Sequence, residues 1–298
     1  MSDGSRLLLI GLRGSGKTSY LAALWHLVEA GELPTALVTS QLQPDRTYLN
    51  SIRDHWLTFR EVGRTSLRSQ EVVSLLLRDA KTNATIDIIL PDLSGELFRL
   101  QWATRKATRQ YADYAAKTSG VLLFIHPTGV EKSYRITPKE ESDVQTTSTS
   151  SEPGVQGNDV TKLREWSSGM TSTQAQLVEL LQFVNYLRSS DKPPSIAVVV
   201  SAWDLVRASI LPSSWLENNL PLLFQFLTSN VEVAPFRVYG VSALGGDLQK
   251  DLQWLQDEEV PSRRIRVVDN KLRAHGDLTA PIRFLLELDK ERMKSAGQ

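Results

Sequence analysis

Gly11-Leu12-Arg13-Gly14-Ser15-Gly16-Lys17-Thr18 has the composition of a loop that wraps a polyphosphate. Dense negative charge is best met by a ring of backbone N–H groups at a helix N-terminus, and only a glycine-rich loop presents such a ring closely. Gly11, Gly14 and Gly16 supply the permissive backbone, with Ser15 between them. Lys17 is placed to reach the β and γ oxygens of a nucleoside triphosphate, Thr18 offers its hydroxyl to magnesium, and Ser19 continues the first turn of the helix. The context fits, since the apolar run Leu7–Ile10 precedes the loop as a strand and Ser19 to Val28 follows as an amphipathic helix.

A second group on the magnesium side is expected at the end of another buried strand. Ile86-Asp87-Ile88-Ile89-Leu90 runs into Pro91-Asp92-Leu93-Ser94-Gly95-Glu96, which sets an Asp-x-x-Gly at the strand's C-terminal end. Asp92 would hold magnesium through water, and the Gly95 N–H would sense the γ-phosphate. The plainer role for Asp92 is a turn or helix N-cap.

The elements that must position these residues are legible as short apolar runs: Arg6–Ile10, Glu71–Arg78, Thr85–Leu90, Gly120–His126, Ser195–Ser201 and Phe236–Val241. Runs apolar at nearly every residue, such as Ile196-Ala197-Val198-Val199-Val200, belong to strands covered on both faces. Leu21, Leu24, Trp25 and Val28 give one face of a first helix stopped by Gly31. Leu177, Leu180, Leu181, Val184 and Leu187 give another that ends before Pro193-Pro194. This alternation predicts an α/β fold: a three-layer sandwich whose central sheet is mostly parallel, with helices on both faces. Ile282, Leu285 and Leu286, within Leu278–Leu288, have the spacing of a closing helix.

We expect one domain over residues 5–290, with two departures from its rhythm. Residues 32–70 form an extended region holding Ile52, Trp56 and Phe59, which require at least partial order. Residues 137–159 are dominated by Ser, Thr, Glu, Pro, Gly and Asp, and no aromatic occurs between Tyr134 and Trp166, so this stretch reads as a mobile insertion. The 34 Lys and Arg balance 34 Asp and Glu, which gives no general attraction to nucleic acid or anionic membrane. The absence of cysteine excludes disulfides and thiolate metal sites, and the four scattered histidines argue against zinc. No apolar run approaches the ~18 residues at which a membrane span becomes plausible. A soluble, cytoplasmic protein is expected.

The phosphate loop and the Asp92–Gly95 motif together resemble the Ras-like and translation-factor-related GTPase superfamily, specifically its bacterial double-GTPase branch, found among predicted conflict and defence systems. The resemblance runs from Leu7 to about Glu287, with residues 137–159 as an extra loop. It implies a guanine-reading motif, Asn/Thr-Lys-x-Asp after a buried strand, which here reads Ser201-Ala202-Trp203-Asp204. Asp204 keeps the carboxylate that accepts guanine N1–H and N2–H, a pairing adenine cannot make. Ala202 replaces the lysine whose stem covers the ring; Trp203 either stacks on the base instead or packs against the strand. Ser242-Ala243-Leu244 is similar to the Ser-Ala-x loop whose backbone contacts guanine O6. The implied ligands are GTP or GDP with Mg2+.

The resemblance also implies a threonine in the first switch that closes over magnesium and γ-phosphate. Thr65, in Gly63-Arg64-Thr65-Ser66, is best placed, and Thr47 competes. After Gly95 the family commonly has a glutamine that orients the attacking water, whereas this chain has Glu96, which repels the γ-phosphate and cannot donate when ionised. Arg13 occupies a loop position where hydrolysing relatives often have a small residue. It either obstructs a partner's arginine finger or stabilises phosphate charge as a finger in cis. Slow hydrolysis, dependent on a protein partner or an ordered switch, is the expectation. A P-loop ATPase or kinase, and a nucleotide-binding scaffold with little turnover, are the competing readings.

Overall fold

The computed structural model describes residues 5–40, 46–60, 72–91, 96–131, 171–190, 192–206, 209–232 and 234–296. Among the described residues, nine strands form one sheet in the order β2-β3-β4-β1-β5-β6-β7-β8-β9. They are β1 (Ser5–Ile10), β2 (Leu37–Thr39), β3 (Val73–Asp79), β4 (Thr85–Leu90), β5 (Gly120–Ile125), β6 (Ser195–Val200), β7 (Phe236–Ser242), β8 (Arg266–Val268) and β9 (Ala274–His275). The five central strands, β4-β1-β5-β6-β7, run parallel, while β2 and β3 on one side and β8 and β9 on the other are antiparallel additions.

Period-two alternation explains why the central strands read as unbroken apolar runs. Leu7 and Leu9 join one core cluster while Leu8 and Ile10 join the other; Leu122 and Phe124 likewise oppose Val121, Leu123 and Ile125. Helices α1 (Lys17–Ala30), α2 (Arg46–Leu57) and α9 (Ala280–Ala296) cover the first face. On the second lie α3 (Glu96–Thr104), α4 (Arg109–Ala116), α5 (Thr173–Leu187), α6 (Pro212–Asn219) and α7 (Pro221–Ser229). A short α8 (Leu252–Asp257) precedes β8. The predicted sandwich is therefore present, and its antiparallel margins were not anticipated.

The region 32–70 contains β2 and α2, and α2 buries Tyr48, Leu49, Ile52 and Trp56 beneath the first face. The expectations for Thr65, Asp92, Gly95 and the insertion 137–159 lie outside the described residues, as does the Glu96 side chain at the start of α3. Among the described residues, no helix is long and apolar enough to cross a membrane.

Candidate functional site

Parallel strands deliver their C-terminal ends to one edge of the sheet, which is where open α/β sheets bind ligands. β1 ends at Ile10 and turns through the glycine-rich loop into α1, whose first residue is Lys17. Gly16 caps that helix at φ 89, and a Cβ there would lie 2.8 Å from Ser201 Cβ and Oγ, so both backbone hand and closeness require glycine. Ser201, just after β6, thereby braces the loop from behind, and its N–H donates to the Ile125 carbonyl at 2.9 Å.

Helix α1 points its N-terminus into a cavity of about 300 Å3. Gly14, Ser15, Gly16, Lys17, Thr18 and Ser19 line it together with the adjoining Ser201, and Ala202, Asp204, Ala243 and Leu244 line it beyond β6 and β7. The N–H groups of a helix's first turn have no intrahelical acceptor, and the helix dipole adds partial positive charge there. Lys17 is buried, and its Nζ donates to the carbonyls of Gly11 (2.7 Å) and Leu12 (3.0 Å) and to Ser15 Oγ (3.2 Å). The ammonium thus closes on the loop's own acceptors, which phosphate oxygens would replace.

The far end is fixed by a hydroxyl. Ser242, fully buried at the end of β7, donates to Asp204 Oδ1, and its Oγ accepts the Gly245 N–H at 3.1 Å. Ser242 does not itself line the cavity; it orients the carboxylate that does. Ala202 lies at φ 44, ψ 49, a left-handed conformation that costs a non-glycine residue roughly 1–2 kcal/mol. Backbone held in such a region is characteristic of functional turns.

Trp203 requires a correction. Its ring is buried against Gly240 of β7, so closely that a Cβ there would lie 2.2 Å from Trp203 Cδ2, and it belongs to the second-face core. It does not line the cavity, so the packing alternative holds and the stacking role fails. Arg13 is exposed and lines a neighbouring cavity of about 240 Å3 with Thr128, Gly129, Thr173 and Leu177, and it is not on the wall of the larger cavity. Thr47, the competing switch threonine, sits in the first turn of α2 and is not on the cavity wall.

His126 was missed as a site residue. It lines both cavities, and its Nδ1 accepts the Thr128 N–H at 3.3 Å. Burial lowers its pKa, and the nearby Asp204 carboxylate works against that shift. Its place at the end of a parallel strand was the available signal. Leu8 pairs with Ile89, so β4 ends beside β1 and leads directly in sequence to Asp92.

A model of the Double-GTPase 1 family matches residues 8–285. The chain is similar to the crystal structure of the bacterial selenocysteine-specific elongation factor EF-Sec (14% identity, TM-score 0.36, 84% of this chain and 28% of that one). It is similar to the GTPase-like domain of S. cerevisiae Ski7 bound to GTP (15%, 0.42, 81% and 43%). It is also similar to the signal recognition particle receptor SRb-GTP/SRX complex from Chaetomium thermophilum (14%, 0.37, 86% and 97%). The chain therefore spans less than half of the first two of these proteins. No curated protein sequence matches it significantly.

Proposed function

The chain belongs to the Double-GTPase 1 family, and on that premise we propose that it is a GTP-binding molecular switch with slow, partner-stimulated hydrolysis. One observation carries this reading: a single cavity joins the glycine-rich loop and the α1 N-terminus to Asp204, Ala243 and Leu244. Phosphates bind the unpaired N–H groups of α1 and draw Lys17 off the loop carbonyls. Asp204, held by Ser242, accepts guanine N1–H and N2–H, while the backbone of Ala243 and Leu244 faces the purine's 6-position.

Thr18 lines the cavity beside Lys17, and with Asp92 and Thr65 it would hold Mg2+, which neutralises phosphate charge. The γ-phosphate engages Thr65 and Gly95 and so biases the conformation of the regions 32–70 and 93–109 that carry them. The reader of that change is proposed to be a protein of a bacterial conflict or defence system, on the sequence resemblance alone. Glu96 and Arg13 are assigned to hydrolysis, with Arg13 acting on phosphate charge only after its side chain swings across the loop.

Thermal melting with Mg2+ and GDP, ADP or xanthosine diphosphate tests the base assignment. GDP should raise the midpoint and ADP should not. Asp204→Asn replaces one acceptor by a donor, which suits xanthine O2 rather than guanine N2–H. It should weaken GDP by roughly 30- to 150-fold, the worth of a charged hydrogen-bond pair, and restore binding of the xanthine nucleotide. Equal stabilisation by ADP would sink the guanine reading. For hydrolysis, a fast single-turnover rate lost in Glu96→Ala but kept in Arg13→Ala would remove Arg13 from the chemistry.

A further inference from the structure

The loop that follows β7 is fastened from outside the cavity by a residue 187 positions away in sequence. Trp56, buried on α2, donates its indole N–H to the Ala243 carbonyl at 3.0 Å. Peptide bonds in the described chain are trans, so the Ala243 carbonyl and the Leu244 N–H, which share one peptide plane, point in opposite directions. Trp56 is not on the cavity wall, whereas Ala243 and Leu244 are. Holding the carbonyl outward therefore turns the Leu244 N–H inward.

The indole is itself held by neighbours from α1 and from the turn 261–264. The His26 ring of α1 lies 5.2 Å from it, and the Arg264 guanidinium lies 4.6 Å over its face and 4.6 Å over Phe59. Arg264 is buried, with Nε donating to the Pro261 carbonyl at 3.2 Å and Nη1 to the Leu255 carbonyl at 3.4 Å. Glu32 Oε2 ties the two supports together, 3.0 Å from the Ser262 N–H and 3.3 Å from His26 Nε2. Such fixation is more than filling a core requires, because an aliphatic side chain would fill it without a donor aimed at this carbonyl.

We propose that Trp56 is a positioning residue for base recognition: its indole N–H sets the Ala243–Leu244 peptide so that the Leu244 N–H meets the oxygen at the purine's 6-position. The proposal rests on the guanine reading of the cavity. It assigns to α2, an element of the extended region between α1 and β3, a part in choosing the base.

Trp56→Phe keeps an aromatic ring for His26 and Arg264 and removes only the donor. The probes are GDP and the diphosphate of 6-thioguanosine, which keeps N1–H and the 2-amino group for Asp204 and replaces the 6-oxygen by sulfur, a weaker acceptor. Wild type should prefer GDP. In Trp56→Phe the GDP affinity should fall roughly five- to tenfold, the worth of one hydrogen bond, while the 6-thioguanosine nucleotide stays within about twofold. Trp56→Gln, which returns an N–H donor without the ring, should regain part of the preference. The ratio compares two ligands on one variant, so a reduced folded fraction cancels. An unchanged ratio, or an equal loss for both probes, would overturn the proposal and leave Trp56 as packing. Wild type binding ADP as well as GDP would overturn the guanine reading, and this inference with it.

Discussion

His26 faces a carboxylate yet is held neutral by burial. Its Nε2 lies 3.3 Å from Glu32 Oε2, but desolvation above all, joined by the positive charges of Arg53 and Arg264, lowers the imidazole pKa from its ordinary 6.5 against the pull of Glu32. Burial of Glu32 raises its own pKa, but the Ser262 N–H and His26 outweigh that, so the carboxyl stays below its ordinary 4.5. At neutral pH the contact is accordingly a hydrogen bond from imidazole N–H to carboxylate. Between His26's folded pKa and 6.5 the unfolded chain binds more protons, so stability falls as pH falls through that window and then levels. Glu32 has the usual carboxylate sign: its contribution is present above 4.5 and lost as pH falls through its lower folded value. Melting curves from pH 7.5 to 5.5 should show the wild-type midpoint descending below pH 6.5 and His26→Gln descending less, with His126, also lowered, supplying the remaining slope. Identical pH slopes would remove His26 from this account. The sequence told more about some residues than others for a related reason. Lys17 and Thr18 were legible because their chemistry is set by neighbours along the chain. The burial that neutralises His26 comes from α2 and the turn 261–264, distant in sequence.

Trp203 shows why strand ends mislead. A strand's periodicity stops where the loop begins, so sequence alone could not say whether Trp203 stacks in the site or packs against the strand; the structure seats it on Gly240, after a left-handed Ala202. The seat for Trp203 is Gly240, in the middle of an apolar strand where any β-branched residue would have matched the pattern. Gly240→Ala places a methyl group into the indole and should destabilise by about 1–3 kcal/mol or more, as overpacking does. In a Trp203→Leu background the same substitution should cost almost nothing, giving a coupling of comparable size in a denaturant double-mutant cycle. Additive losses would show that Gly240 serves β7 in some other way. The central strands were legible because both faces are buried, whereas β2, β8 and β9, with three, three and two residues, are too short to carry a period. The part of the cavity lined by Asp204, Ala243 and Leu244 was likewise approached through the strands that precede it, and the Trp56 bond that fastens it was invisible, because nothing local in α2 points to Ala243.

Across the molecule, the cavity is walled by the loop and helix that follow β1 and by the C-terminal ends of β5, β6 and β7, and these four strands are consecutive in the sheet. On the proposed reading, a nucleotide bound there would join phosphate contacts at the glycine-rich loop and α1 to base contacts beyond β6 and β7, so any opening that separates these strands would release it. Openings at the margins need not. Ligand linkage then predicts an uneven response in native-state hydrogen exchange. With GDP and Mg2+ at about a thousandfold excess over Kd, the slowest amides of β1, β5, β6 and β7 should gain roughly 10³-fold protection. Amides in the turn Ala80–Ala84 between β3 and β4, and in the exposed edge strand Ala274–His275, should gain little. If residues 5–290 form one domain, as we propose, the gain should be the same on all four central strands, because their slowest amides then exchange through one global opening. Protection confined to β1 and α1 would mean that only phosphate is held and the base end is loose. An equal gain at β9 would mean that the margins open only with the core.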